Sequence, residues 1–163
     1  MKILYPFILL IVLTTYGCKN SNEKKGNQIK SAVDNKSIAE NEINIILNSD
    51  DLMRFDKDML LVKSGQKIML TLNHIGEMDK SVMGHNFVLL KKDVDVTAFA
   101  KKAVLAKDNE YIPEGDEVIV YTKLIGGGES DTITFDAPEK GYYTYICSFP
   151  GHYGLMRGKL VVK

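Results

Sequence analysis

The chain is poor in several things that would assign it quickly. Only two of its 163 residues are cysteine and three are histidine. A core of ordinary size at this length needs no help from disulfides, and one globular domain is the reading. Charge of one sign is missing as well: Lys+Arg and Asp+Glu both number 21, and no run of basic residues occurs. No net field draws the protein to nucleic acid or to an anionic surface, so nucleic-acid binding is excluded. Internal repeats are absent. The N-terminal apolar run, Ile3 to Leu13, falls short of the ~20 residues a spanning helix needs.

That run lies in "MKILYPFILLIVLTTYGC", which starts basic at Lys2 and ends with small Gly17 before Cys18. Such a segment reads as an export signal over residues 1–17. A cysteine after a small residue resembles the bacterial lipoprotein cleavage site, at which Cys18 becomes the acylated N-terminus. Thr15 and Tyr16 depart from that pattern, and a plain secretory signal is the alternative. Acylation places the protein in the bacterial cell envelope, on the periplasmic side or the outer surface, held to the membrane through the lipid on Cys18. It also leaves Cys147 with no partner, and a lone thiol in an oxidising compartment calls for a use. Residues 18–41, rich in Lys, Asn, Ser and Glu with scattered apolar positions, read as a flexible tether.

From Glu42 the pattern changes to short β-branched and apolar segments at 43–47, 59–62, 67–72, 85–90, 118–122, 132–135, 142–147 and 159–162. Turn signals such as "KSGQ", "GGGES" and "PEKG" separate them. Eight short strands predict an all-β β-sandwich of antiparallel sheets over residues 42–163. Residues 95–111 differ: Val96, Phe99, Ala100, Ala103 and Val104 recur at helical spacing behind Asp95 or Thr97 as N-cap. One short appended helix is expected there, with an irregular Ala-rich loop as the alternative.

Chemistry gathers in "CSFPGHYGLMRG", residues 147–158. Cys147 ends a strand, Pro150 and Gly151 force a turn, and His152 and Met156 follow within reach. One loop thus supplies a thiolate, an imidazole and a thioether. A second imidazole is available from His85 in "VMGHNFVLL", at the mouth of a strand. Two His, one Cys and a weak axial Met form the trigonal blue-copper set that soft ligands favour. Taken singly, Met156 reads as core filler, His152 as a turn histidine and Cys147 as an inert buried thiol. Together, at Cys-x4-His-x3-Met, they point to copper.

"MGHNFVLL" with "YICSFPGHYGLMRGKLVV" resembles the azurin branch of the cupredoxin family of blue copper proteins, and the likeness extends over about residues 42–163. The resemblance implies a Greek-key β-sandwich with an appended helix, and one copper held in its plane by His85, Cys147 and His152. It further implies Met156 as the distant axial ligand and the Gly84 carbonyl as a weaker opposing one. Around them it places the backbone N–H groups of Asn86 and Phe149 on the Cys147 sulfur, with the Asn86 side chain tying the two ligand segments together. The implied function is single-electron transfer between redox partners such as c-type cytochromes or copper and haem reductases, not catalysis. Azurins usually carry a disulfide, whereas Gly65 stands here where one of its cysteines would lie.

A copper-trafficking or storage protein and a zinc-binding structural module remain as alternatives for the same ligands. Trafficking favours exposed Met- or Cys-rich sites, which are lacking; zinc would give no redox function. His74 has no motif and is expected as a strand-end imidazole bonded to backbone, outside the ligand set. Phe149, Pro150, Gly151, Gly154 and Leu155, with Met83 and Gly84, carry no charge and are expected to surround His152 as an uncharged contact face.

Overall fold

The computed structural model describes residues 41–163, so the signal, the tether and Cys18 lie outside the described residues. Among the described residues nine strands form two packed sheets. β1 (Glu42–Asp50), β2 (Arg54–Phe55), β4 (Lys67–His74) and β7 (Ser130–Asp136) make one, in the order β2-β1-β4-β7. β3 (Met59–Val62), β5 (Val88–Leu90), β6 (Val118–Tyr121), β8 (Gly141–Ile146) and β9 (Arg157–Val162) make the other, in the order β3-β9-β8-β5-β6. The all-β sandwich is the architecture expected.

The sheets are mixed and not antiparallel throughout, because β1 pairs with β4 and β3 with β9 in parallel. The cause lies in chain routing. After β1 and the short antiparallel β2 the chain crosses to the opposite sheet as β3, so β4 re-enters the first sheet running in the direction of β1. Pairing between residues so far apart leaves no local sign in the sequence.

Alternation explains the core. β4 is buried at every second residue, placing Ile68, Leu70, Leu72 and finally His74 between the sheets. Leu47, Leu60, Phe87, Leu89, Tyr145 and Leu160 meet them there. β5 lacks alternation because both of its faces are covered: Leu89 faces the inter-sheet core, while Val88 and Leu90 pack with Phe99 and Ala103. Those two belong to α2 (Val96–Leu105), whose N-cap Asp95 accepts the Thr97 and Ala98 N–H groups at 2.9 and 3.1 Å. The appended helix is therefore real but ends at Leu105, before a 3-10 turn at Lys107–Asn109. A second helix of one turn, α1 (Lys80–Met83), has no apolar period to announce it and is set by its Asp79 cap.

At one pole of the sandwich meet the ends of β1, β4 and β8, the start of β9, and the segments leading into β5. That is where the donor residues lie.

Candidate metal centre

Two segments bring the donors to this pole. The first leaves α1 at Gly84, where a Cβ would lie 2.5 Å from the Lys80 carbonyl oxygen and 3.0 Å from Leu124 and Phe149 side-chain atoms. Only glycine fits so close an approach. His85 is then fixed by a bridge to Ile125, each N–H donating to the other's carbonyl at 2.9 and 2.8 Å. The second is the loop after β8. Its neck is closed by the Cys147 N–H donating to the Met156 carbonyl at 2.9 Å, and Met156 N–H donates to the His152 carbonyl at 2.8 Å. Gly151 takes φ 84° at the turn, a left-handed conformation that suits glycine.

His85, Cys147 and His152 come together with their donor atoms all within 4.8 Å of one another. The two Nδ1 atoms are 3.2 Å apart, and the Cys147 Sγ is 3.9 Å from that of His85 and 3.7 Å from that of His152. All three residues are buried, at 0, 0 and 4% exposure. The Gly84 carbonyl oxygen lies 3.9 Å from Sγ. Met156 is fully buried in the cluster that holds Cys147 and Phe149.

The His85 ring is oriented by its far edge, where Nε2 lies 2.9 Å from the Asp50 carbonyl oxygen. Since a carbonyl only accepts, Nε2 carries the proton and Nδ1 presents a lone pair to the group. Burial drives the His85 imidazole down to about 4, against the raising effect of that hydrogen bond, and drives His152 down to about 4 as well. Both rings are neutral donors at neutral pH. Burial pushes the Cys147 thiol up to about 12, opposed by the backbone N–H groups of Asn86 and Phe149, which bond the sulfur.

These donors fit a first-row metal ion. A point within their triangle lies about 2.1 Å from each atom, close to the bond lengths imidazole and thiolate make to such an ion. A cation there would also reverse the electrostatics of the thiol, since coordination deprotonates it outright. Thiolate and thioether softness selects copper over hard ions.

Asn86 joins the two segments: its Oδ1 accepts the Ser148 N–H at 2.8 Å, and its Nδ2 donates to the Ser148 hydroxyl at 2.9 Å and the Glu110 carbonyl at 3.2 Å. Phe149 packs its ring on His152 with centroids 4.7 Å apart. His74 stays out of the donor group but does not bond backbone through its ring, as a strand-end histidine was expected to. Its ring stacks on His85 at 4.4 Å, and neither ring nitrogen has a hydrogen-bond partner among the described residues. The period of β4 carries it inward, where Asp51 Oδ1 lies 3.6 Å from Nε2.

Sequence reading missed Asp50, Asp51, Glu110 and Ser148. Asp50 and Glu110 act on the site through main-chain carbonyls, which any residue type would supply. The adjacent acids in "SDD" were the only visible sign of the turn.

A two-sheet sandwich that closes two imidazoles and a buried cysteine under one pole defines a single-copper protein of the cupredoxin class. The chain belongs to the copper binding proteins of the plastocyanin/azurin family, whose sequence model matches residues 24–163. It is similar to the azurin of Bordetella pertussis, at 42% identity over 125 residues covering 73% of this chain and 83% of that protein. Azurin-1 of Alcaligenes xylosoxydans xylosoxydans is 41% identical over 124 residues, covering 73% and 96%. Among solved structures, auracyanin A, a "blue" copper protein from Chloroflexus aurantiacus, matches with a TM-score of 0.68 at 32% identity, over 75% of this chain and 99% of that one. An azurin of Methylomonas sp. strain J matches with a TM-score of 0.67 at 36% identity, over 74% and 97%.

Proposed function

We propose that this chain is a blue copper protein that carries single electrons between redox partners, with copper held by His85, Cys147 and His152. The observation that carries the reading is the convergence of a buried cysteine sulfur and two neutral imidazole nitrogens on one point. Copper held there supplies one-electron chemistry between Cu(II) and Cu(I). The residues do the rest. A trigonal donor plane suits both oxidation states, so little has to move when the charge changes. Met156, buried beside Cys147, and the Gly84 carbonyl, 3.9 Å from its sulfur, would close the remaining sides of the donor group as weak donors and leave no open position for a substrate, which favours a carrier over an enzyme. The N–H groups of Asn86 and Phe149 draw electron density from the sulfur and raise the potential.

Electrons enter and leave beside His152. Leu155 is 67% and Val82 63% exposed, Gly151 and Gly154 are exposed, and Pro150 and Met83 are half-buried, all without charge. Such a face lets a partner, a c-type cytochrome or a copper or haem reductase, approach closely and shed water. The first strand begins at Glu42, and in this reading acylation of Cys18 after removal of residues 1–17 holds the domain to the envelope membrane through residues 18–41.

The test is optical. Loaded with Cu(II), the protein is expected to be intensely coloured by charge transfer from the Cys147 sulfur and to bleach reversibly with reductant. A colourless Cu(II) form, or colour that survives Cys147→Ser, would sink the assignment. Zinc in the same site would give neither colour nor bleaching.

A further inference from the structure

At the pole that holds the donor group, two consecutive residues of one turn reach the same imidazole by different routes. Asp50, the last residue of β1, gives its main-chain carbonyl to His85 Nε2. Its own carboxylate is turned away, holding the Leu52 N–H at 2.9 Å and Arg54 at 2.6 Å. Asp51 does the converse. Its carboxylate accepts the backbone N–H groups of Glu77 at 2.8 Å and Met78 at 3.2 Å, and Oδ1 lies 3.6 Å from His74 Nε2.

Those N–H groups belong to the loop that runs from β4 into α1 and on to Gly84 and His85. The ring of His74 is stacked on His85, with an interplanar angle of 25°. The carboxylate reaches the loop only because residue 76 has no side chain: a Cβ on Gly76 would lie 2.2 to 2.6 Å from its oxygens and carbon. One carboxylate therefore holds both the segment that delivers His85 and the neighbourhood of the ring behind it.

We propose that Asp51 is a positioning residue for His85: by fixing loop 76–78 against the β1–β2 turn it keeps the His85 ring where the Asp50 carbonyl can hold Nε2–H and aim Nδ1 at the donor group. This rests on His85 being a copper ligand. Hydrogen bonds from backbone N–H to a carboxylate are charge-assisted and about twice as strong as neutral ones. A partner on the far nitrogen sets the tautomer and direction of a ligating imidazole. Without Asp51 no other described contact takes the Glu77 and Met78 N–H groups. The loop keeps the Ile75 N–H on the Ser49 carbonyl and the Gly127 N–H on the Met78 carbonyl, both at 2.8 Å, and His85 keeps its bridge to Ile125. What is lost is the charge-assisted tie that sets residues 77–78, and the approach to His85, against the β1–β2 turn.

The experiment approaches the contact from both sides. Asp51→Ala removes the carboxylate, Gly76→Ala expels it, and Asp51→Asn removes the charge while keeping one oxygen to accept the Glu77 N–H. In copper-loaded protein, Asp51→Ala and Gly76→Ala are expected to release copper to a chelator about 10- to 100-fold faster than wild type, with Asp51→Asn nearer wild type. In the metal-free protein, the His85 Nε2–H resonance is expected to exchange with water several-fold faster in both Ala variants. Release and exchange at wild-type rates in either Ala variant would overturn the proposal. So would equal effects of Asp51→Asn and Asp51→Ala with Gly76→Ala silent, which would leave only the lost charge. If Asp51→Ala does not fold, Gly76→Ala decides alone. Failure of wild type to bind copper would instead sink the ligand reading, and the metal-free exchange measurement would still report on Asp51.

Discussion

Asn86 and Ser148, the residues that follow His85 and Cys147, are bonded to each other through three contacts, the shortest being the Ser148 N–H on Asn86 Oδ1 at 2.8 Å. Both residues are buried, so the pair staples the two donor segments in a place water does not reach. Replacing Asn86 by Ala leaves the Ser148 N–H and the Glu110 carbonyl without this partner. Each buried group so orphaned costs roughly 1–3 kcal/mol. The melting temperature of the metal-free Asn86→Ala variant is expected to fall by roughly 5–15 °C, as measured by thermal unfolding. A change of less than two degrees would show that the staple is dispensable.

Met156 offers a cleaner separation of stability from tuning. Its side chain is fully buried, and leucine is close to it in volume, so Met156→Leu should fold with little loss. An axial thioether donates weakly to Cu(II), and its loss disfavours the oxidised form. The variant is expected to keep its colour while its reduction potential rises, as read by voltammetry. Loss of copper binding would make Met156 more than a tuning group.

How much of this was legible in the sequence depends on how local each feature is. Cys147, His152 and Met156 share one loop, so their spacing alone suggested a site. His85 was found because Gly84 precedes it at the mouth of an apolar strand. Asp51 and Glu110 gave no such sign, since what they hold lies 26 and 24 residues away. The parallel pairing of β1 with β4 was hidden for a related reason: alternation tells which face of a strand is buried and nothing of its direction. β2, with two residues, is too short to show any period.

The buried imidazoles give the metal-free protein an acid-sensitive window. His85 and His152 titrate at about 4 when folded against 6.5 when free. A depressed value means the unfolded chain binds protons more readily. Stability is therefore fully present above about pH 6.5 and is lost as pH falls toward 4. Carboxylates lowered by hydrogen bonds, such as Asp50 beside Arg54, act only below their ordinary 3.8, so the two windows separate. The urea midpoint of metal-free protein is expected to drop between pH 6.5 and 4, and that of copper-loaded protein to drop less, because the metal competes with those protons. An unchanged midpoint of metal-free protein across that range would contradict it.

The proposed anchor is tested by mass. Protein recovered from membranes is expected to begin at an acylated Cys18, with residues 1–17 removed. An unmodified Cys18 thiol, or cleavage elsewhere, would leave a secreted protein and reopen the question of a partner for Cys147.

The electron-exchange face can be probed at one residue without touching a donor. Gly154 lies in the turn after His152, is exposed, and has no heavy atom within 4 Å of where a Cβ would sit. An aspartate there therefore costs the fold little. What it changes is the contact: a partner docking on Leu155, Gly151 and Pro150 must strip water from the new carboxylate, and a buried unpaired charge is expensive. The copper donors Nδ1 and Sγ are untouched by this surface change. Gly154→Asp is expected to slow electron self-exchange by an order of magnitude or more, because in that reaction two such faces meet and two charges repel. High salt should restore part of the rate by screening the repulsion, but not the part due to desolvation. The visible spectrum should stay nearly as in wild type. Self-exchange at the wild-type rate in a correctly folded, fully coloured variant would move the port for electrons to another part of the surface.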